Sequence, residues 1–301
     1  MIRSYLAGDE TGINALFESV FQKKRSLTEW QWKFGTLSSH FPIIIVAEED
    51  NQIVGHAACL LFEGVNVDGS PILIGERVDI MVHPNYQGRG IYQQIVKELM
   101  EESERQNVAY LYGFPAEKAK NIFIKMAQAT DLGNINRYVS INFPNLSKKR
   151  PHQLMKSLPE TELLNMSNFK IESVIHVNRS KAFLINRYIK HPSKDYYVYH
   201  LDSDYIIYRI DHLKSVIPVY TIVDILSDDE FSIVKSFKKS LGTGLVSTWG
   251  IPHTPLEAAL LTTGFKVHSS PMPFVVKTLK THDYGQTFNN WRILQGDVDS
   301  F

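Results

Sequence analysis

The residues whose types and spacing best suit chemistry lie in one segment, His83-Pro84-Asn85-Tyr86-Gln87-Gly88-Arg89-Gly90-Ile91-Tyr92. An apolar run, Val78 to Val82, leads into it. After it, Ile91, Ile95 and Leu99 recur one helical turn apart, with Val96 and Met100 beside them. Where a strand turns directly into a helix, the first helical N–H groups have no internal partner and lie at the positive end of the helix dipole. Two glycines at that turn can take positive φ and let the backbone approach an anion closely. The segment reads as a cradle for a phosphate-bearing ligand.

The elements around it narrow the choice of ligand. Residues 9–24 show helical spacing (Ile13, Leu16, Phe17, Val20, Phe21) behind Asp9 as a plausible N-cap. Strands are expected at 42–48 and 53–62 around the turn Glu49-Asp50-Asn51-Gln52, and again on either side of Asp68-Gly69. Val78, Ile80 and Val82 alternate on the strand that enters the cradle. A strand at 109–114 and a helix at 117–128 follow. A P-loop needs Gly-x-x-x-x-Gly-Lys-Ser/Thr, which is absent. A dinucleotide fingerprint needs a third glycine where Gln93 stands, and a parallel βα series where this chain has an antiparallel meander.

Composition excludes several classes. The 301 residues are 44% hydrophobic and 21% charged, as in a globular chain with a sizeable core. Lys+Arg and Asp+Glu both number 32, so no overall charge points to nucleic acid or a membrane surface. The one cysteine, Cys59, lies in the run Ala57-Ala58-Cys59-Leu60-Leu61 and reads as a buried thiol in a reducing compartment. With no apolar run long enough for a signal peptide or a spanning helix, a cytoplasmic location is expected. No His/Cys/Asp cluster has metal-ligand spacing, so no metal is expected.

The texture changes around Pro144, Lys148-Lys149-Arg150, Pro151 and Pro159, which read as a linker with a solvated basic run. The second half repeats the rhythm. A helix is expected at 182–189, strands at 196–200, 204–210 and 216–225, a helix at 228–239, a strand ending at Trp249, a helix at 256–262 and a strand at 274–279. Tyr112-Gly113-Phe114-Pro115 and Trp249-Gly250-Ile251-Pro252 echo one another. A weak internal duplication accounts for this, with chance as the competing explanation. In place of the glycine turn the second half has Leu226-Ser227-Asp228-Asp229-Glu230, which would repel a pyrophosphate. One cradle is expected, in the first half.

Val82-His83-Pro84 followed by Gln87-Gly88-Arg89-Gly90-Ile91-Tyr92 resembles the signature of the GNAT (GCN5-related N-acetyltransferase) superfamily, Gln/Arg-x-x-Gly-x-Gly/Ala after a strand ending in Val-x-Pro. The resemblance is strongest at 78–100 and covers 1–145 in order of elements. The two halves, Gly113-Phe114-Pro115 and the ending Trp291…Gly296-Asp297…Asp299 resemble a bacterial two-domain group, some of whose members accompany surface-polysaccharide genes. It implies an α+β fold of three α/β/α layers, with a mixed, mostly antiparallel GNAT sheet and a second, degenerate GNAT-like domain. The expected division is 1–145 for the acyl-CoA-binding domain, 146–160 for the linker and 161–301 for a degenerate copy lining the acceptor site.

By the same resemblance the chain is an N-acetyltransferase that uses acetyl-CoA as cosubstrate on a primary amine of a small molecule, an amino sugar being one candidate. It would act as a monomer or homodimer. Gln87, Gly88, Arg89, Gly90, Ile91 and Tyr92 would hold the pyrophosphate, and the backbone of Ile80, Met81 and Val82 would pair with pantetheine, as an added strand pairs. Asn121 could contact pantetheine as well. Tyr92 departs from the signature's Gly/Ala and would either pack on the neighbouring strand or narrow the cradle entrance. Acylation needs a base for the ammonium proton, and Glu76 and Asp79, on the strand feeding the cradle, are the candidates. Glu76 shares its parity with Val78 and Ile80, while Asp79 lies on Met81's side. Pairing with Arg77 or another cation is the competing account of both. The family's tyrosine acid falls near Phe123, so Tyr112 is the substitute candidate. His83 is either a proton shuttle or a turn residue with a local hydrogen bond. The rival readings are a non-catalytic acyl-CoA-binding or interaction protein and a tandem aminoacyl transferase of related fold.

Overall fold

The computed structural model describes residues 1–143, 152–268, 272–280 and 283–298. The basic run with its flanking Pro144 and Pro151, and Asp299, lie outside the described residues. The chain begins β1 (Ile2–Ser4), α1 (Glu10–Phe21), α2 (Leu27–Trp32), β2 (Ile43–Glu49), β3 (Gln52–Val65), β4 (Pro71–Val82), α3 (Ile91–Arg105), β5 (Tyr110–Gly113) and α4 (Glu117–Ala127). It continues β6 (Thr130–Asn134), β7 (Asn136–Asn142), β8 (Gln153–Leu154), α5 (Glu160–Ser167), β9 (His176–Val177), α6 (Lys181–Leu184), β10 (Tyr197–Leu201), β11 (Asp204–Leu213) and β12 (Ile217–Leu226). It ends with α7 (Glu230–Ser240), β13 (Gly244–Gly250), α8 (Pro255–Thr262), β14 (Lys266–His268) and β15 (Pro273–Thr278).

Two compact units result, one from 1–64, 71–132 and 273–286, the other from 65–70, 133–272 and 287–301. The first is built on the strand order β1-β2-β3-β4-β5-β15-β6. Its β4 and β5 run parallel, and β1–β2, β2–β3 and β5–β15 are antiparallel. The four-residue spacing along α3 has its consequence here. Ile91, Ile95 and Leu99, with Val96, join Phe123 and Ala127 of α4 on one sheet face, against Cys59, Leu61 and Leu111. The opposite face carries α1, which comes so close that a Cβ on Gly12 would lie 3.1 Å from Ile53 Cδ1. This is the α/β/α layering. Gly75 is required by packing, because a Cβ there would collide with Cys59 Sγ. Cys59 is fully buried, and burial pushes its thiol well above the usual range.

Most expected elements form within a few residues of their expected ends, but partner choice differs. The strand expected at 274–279 to close the second half forms as β15 and joins the first sheet, with Val276 opposite Tyr112. The stretch β7, which carries no strong alternation, enters the second sheet beside β13. Periodicity identifies a strand but not which exposed sheet edge will take it. Within the expected linker, β8 pairs with β10. Asp9 precedes α1 as expected but does not cap it with its side chain, since its carboxylate is held by Arg3 and the Leu6 N–H. The second sheet runs β14-β7-β13-β12-β11-β10-β8, with β12 and β13 parallel and α7 and α8 packed on Ile206, Ile222 and Val246.

Candidate active site

The turn from β4 into α3 keeps its backbone donors uncapped. Gly90 is the N-cap of α3 at φ 77°, no side chain caps it, and no acidic residue stands in the first turn. Gly88 is also left-handed, at φ 78°. A Cβ on Gly88 would meet nothing within 4 Å, so the turn needs glycine for conformation, and the space above it is open. Gln87, Gly88 and Arg89 are exposed. Arg89 lies 4.8 Å over the Tyr86 ring. The His83 Nδ1 accepts the Asn85 N–H at 3.2 Å, the local bond expected of a turn histidine. Tyr92 is half-buried and packs against the α3 cluster, and burial raises its phenol pKa. Of the two expectations for Tyr92, packing inward is what the structure gives.

The strand feeding the cradle departs from its neighbour. β4 and β5 pair at Ile74–Tyr110, Gly75–Leu111 and Glu76–Tyr112, and there the pairing stops while β4 runs on to Val82. Asp79 sits within that stretch at φ 47°. A left-handed residue in a strand shifts the alternation by one. Gly75 faces Cys59 and Leu111, and Arg77 faces Phe123 of α4, yet Ile80 and Val82 also pack on the α3 side. The expected shared parity of Glu76 and Ile80 is therefore broken at Asp79.

The break sends the two candidate carboxylates to different environments. Asp79 is ion-paired with Arg25 and, at 2.8 Å, with Lys33. Its carbonyl accepts the His56 Nδ1–H at 2.7 Å. Burial opposes its charge, but Lys33 and Arg25 overcome that and hold the carboxyl well below the usual carboxylate range. Of the pairing account's two options, Arg77 or another cation, the structure gives the second, with Arg25 and Lys33 as the cations. An acid so stabilised in its charged form is a weak base. Glu76 is 2% exposed and stands at the last paired position, opposite Tyr112, which is fully buried among Phe114 and Phe274. Register partners share a face, so Glu76 and Tyr112 lie together, away from Arg77. Asn121 is exposed on α4, and Phe123 is buried. Arg25, Lys33 and His56 escaped the sequence reading. Ser26 and Glu29, which form a capping box on α2, were the local signal that a helix would bring Lys33 in.

Residues 1–120 match the family model for the acetyltransferase (GNAT) domain. No curated protein matches the sequence. Among solved structures, a GCN5-related N-acetyltransferase from Anabaena variabilis is similar at TM-score 0.69 and 13% identity, over 94% of this chain and 74% of that one. A conserved protein of Enterococcus faecalis V583, named as a probable N-acyltransferase, gives 0.68 and 17% over 93% and 72%. A tandem GNAT protein from the clavulanic acid biosynthesis pathway gives 0.59 and 12% over 94% and 99%. At these identities the likeness is one of fold.

Proposed function

We propose that this chain, a two-domain member of the GNAT superfamily, transfers an acetyl group from acetyl-CoA to a primary amine of a small molecule, an amino sugar being one candidate acceptor. The observation that carries the reading is the continuity of the fork and the cradle. β4 leaves its partner after Glu76, bends at Asp79, runs on as a strand through Ile80, Met81 and Val82, and ends in a turn whose Gly88 and Gly90 hold uncapped amides open to solvent. An extended, amide-rich arm can add to the free strand edge, and a pyrophosphate can bind at the helix N-terminus. Gln87 to Tyr92 would hold that pyrophosphate by backbone N–H groups.

In this reading Glu76 is the base. It stands at the fork where an arm running along β4 must end, and the attacking nitrogen needs to lose a proton there, directly or through water. Tyr112, beside it, orients the carboxylate or the acceptor. Asp79, charge-balanced by Arg25 and Lys33, fixes the bend that opens the fork. Asn121 remains a pantetheine contact in this proposal, from the exposed side of α4. The second reading, an acyl-CoA-binding protein without turnover, rests on Phe123, which puts no proton donor at the α4 position where the family's tyrosine is expected. Calorimetry with acetyl-CoA followed by thioester loss across a panel of amines, amino sugars included, separates the two. Binding with turnover supports the transferase, binding alone supports the sensor, and no binding overturns both.

A further inference from the structure

Among the described residues, Arg77 is a buried cation with no counter-ion. Its side chain leaves β4 at the first residue beyond the last β4–β5 pair, and its guanidinium carbon lies 3.3 Å from the centroid of the Phe123 ring. The residue is 8% exposed, and among the described residues its Nε and Nη2 have no hydrogen-bond partner and no carboxylate pairs with it. Room is kept for it, because a Cβ on Gly113 would stand 3.1 Å from Nη2. Asp79 is satisfied by other cations, and Glu76 lies on the opposite face of the sheet. Burial lowers the guanidinium pKa to about 10, so the group is still charged at neutral pH. A charge held this way is costly, which points to an anion that arrives only with the ligand.

We propose that Arg77 is a catalytic residue that receives the thiolate leaving the acyl thioester, an inference that rests on the acyl-CoA reading of this site. The amine nitrogen bonds to the carbonyl carbon on the Glu76 face and its proton passes to Glu76. The C–S bond then breaks, its electron pair goes to sulfur, and an Arg77 N–H meets the thiolate. The thiolate takes a proton from solvent on release, and Glu76 returns its own to solvent, so no further reactant is needed. Extended β4 backbone beyond the fork is available to the carbonyl oxygen, and on the α4 face Phe123 has no proton to give. Of the polar groups on that face, the half-buried Tyr92 phenol near Arg77 has its pKa raised by burial, and Arg77 is the cation available to sulfur. Phe123 beneath it orients the guanidinium plane.

The test reads the thiol of CoA bound to the intact protein, through the ultraviolet absorbance of its thiolate as pH rises, in wild type, R77K and R77M. In wild type the bound thiol should ionise about one unit below free CoA. R77K should keep part of that shift and R77M should lose it. Turnover in R77M should fall roughly 100-fold with the KM for acetyl-CoA little changed. R77M should melt no lower than wild type, because the substitution removes an unpaired charge; R77Q repeats the comparison if R77M folds poorly. Identical thiol titrations in wild type and the uncharged variants overturn the inference and leave the CoA reading standing. Failure of wild type to bind CoA overturns both.

Discussion

Both units contain a parallel strand pair that meets over three residues and then parts, Ile74–Glu76 with Tyr110–Tyr112 in one and Val219–Thr221 with Leu245–Ser247 in the other. The second fork is closed by its own chain. The Thr248 hydroxyl reaches the Ile222 carbonyl at 3.3 Å, and Arg292 donates to the Ile225 carbonyl at 2.8 Å. The turn Gln295–Asp297 lies so close to β12 that a Cβ on Gly296 would stand 2.9 Å from the Val223 carbonyl and collide with the Tyr188 hydroxyl. Beneath it Arg179 sits between Asp224 and Asp297, 2.6 Å from each. The helix that follows is closed as well, since the Asp229 carboxylate accepts the Ser232 N–H at 3.0 Å and the Ser227 hydroxyl accepts the Asp229 N–H at 3.0 Å. In the first unit the corresponding turn has two left-handed glycines and no side-chain cap. The two units share this strand-and-helix plan and differ in whether the chain itself supplies the partners of the opened strand and helix end.

The largest expected effect on binding breaks the open unit. Gly90→Asp places a carboxylate at the uncapped amides of α3, and acetyl-CoA affinity should fall by roughly 100-fold or more, about 2.7 kcal/mol or more, in calorimetry. Gly90→Ala separates charge from strain, since it meets only the left-handed backbone penalty of about 1 kcal/mol and should retain part of the binding. Equal losses in both variants would mean that the turn acts through its shape and not as an anion site. The next effect breaks the closed unit. Arg179→Met leaves Asp224 and Asp297 facing one another in the interior, and urea unfolding should show a loss of about 3–5 kcal/mol, with CoA affinity unchanged in native buffer. Unaltered stability would show that the sealed fork is not held by this ion cluster.

How much of this was legible follows the range of the interactions. The glycine turn and the helix after it were readable because Gly88, Gly90 and the four-residue spacing of α3 are local and each has a physical reason at its own position. The acidic turn of the second half was readable for the same reason, although its residues act by capping the helix from within as well as by repelling an anion. The bulge at Asp79 was not readable, because it depends on Arg25 and Lys33, 54 and 46 positions away. Neither was the orphan state of Arg77, which looked in the sequence like a ready partner for Glu76 or Asp79. The sealing of the second fork by Gln295–Asp297 was hidden likewise, since nothing in that tripeptide specifies which strand it will cover.

Acid should act through buried imidazoles in both units. Burial pushes His56 down to about 4, with only partial opposition from Asp79, and pushes His176 to about 4 and His191 to about 3. The unfolded chain takes up these protons near the ordinary value of 6.5 while the folded chain does not. Stability is therefore fully present above about 6.5 and declines as pH falls toward 4. For His56 alone the loss approaches about 3 kcal/mol. A flat unfolding free energy between those limits would contradict the burial of these rings. His56→Asn should flatten part of the slope if the ring behind the Asp79 bulge contributes as argued.

The smallest effect sharpens the comparison at its narrowest point. Asp229→Ala removes the side chain that caps α7 and should cost about 1 kcal/mol, a typical loss for an N-cap. The freed Ser232 N–H would then resemble the uncapped amides of α3, yet it should gain no affinity for CoA, because β12 ahead of it is still covered by Gly296 and Arg292. Calorimetry on an Asp229→Ala, Gly90→Asp double variant checks this, since it has the first cradle blocked and the second helix end freed. Restored CoA binding there would show that an uncapped helix end suffices by itself. Absence of binding would show that the open fork before it is required as well, and that in the second unit the covered strand is what excludes CoA.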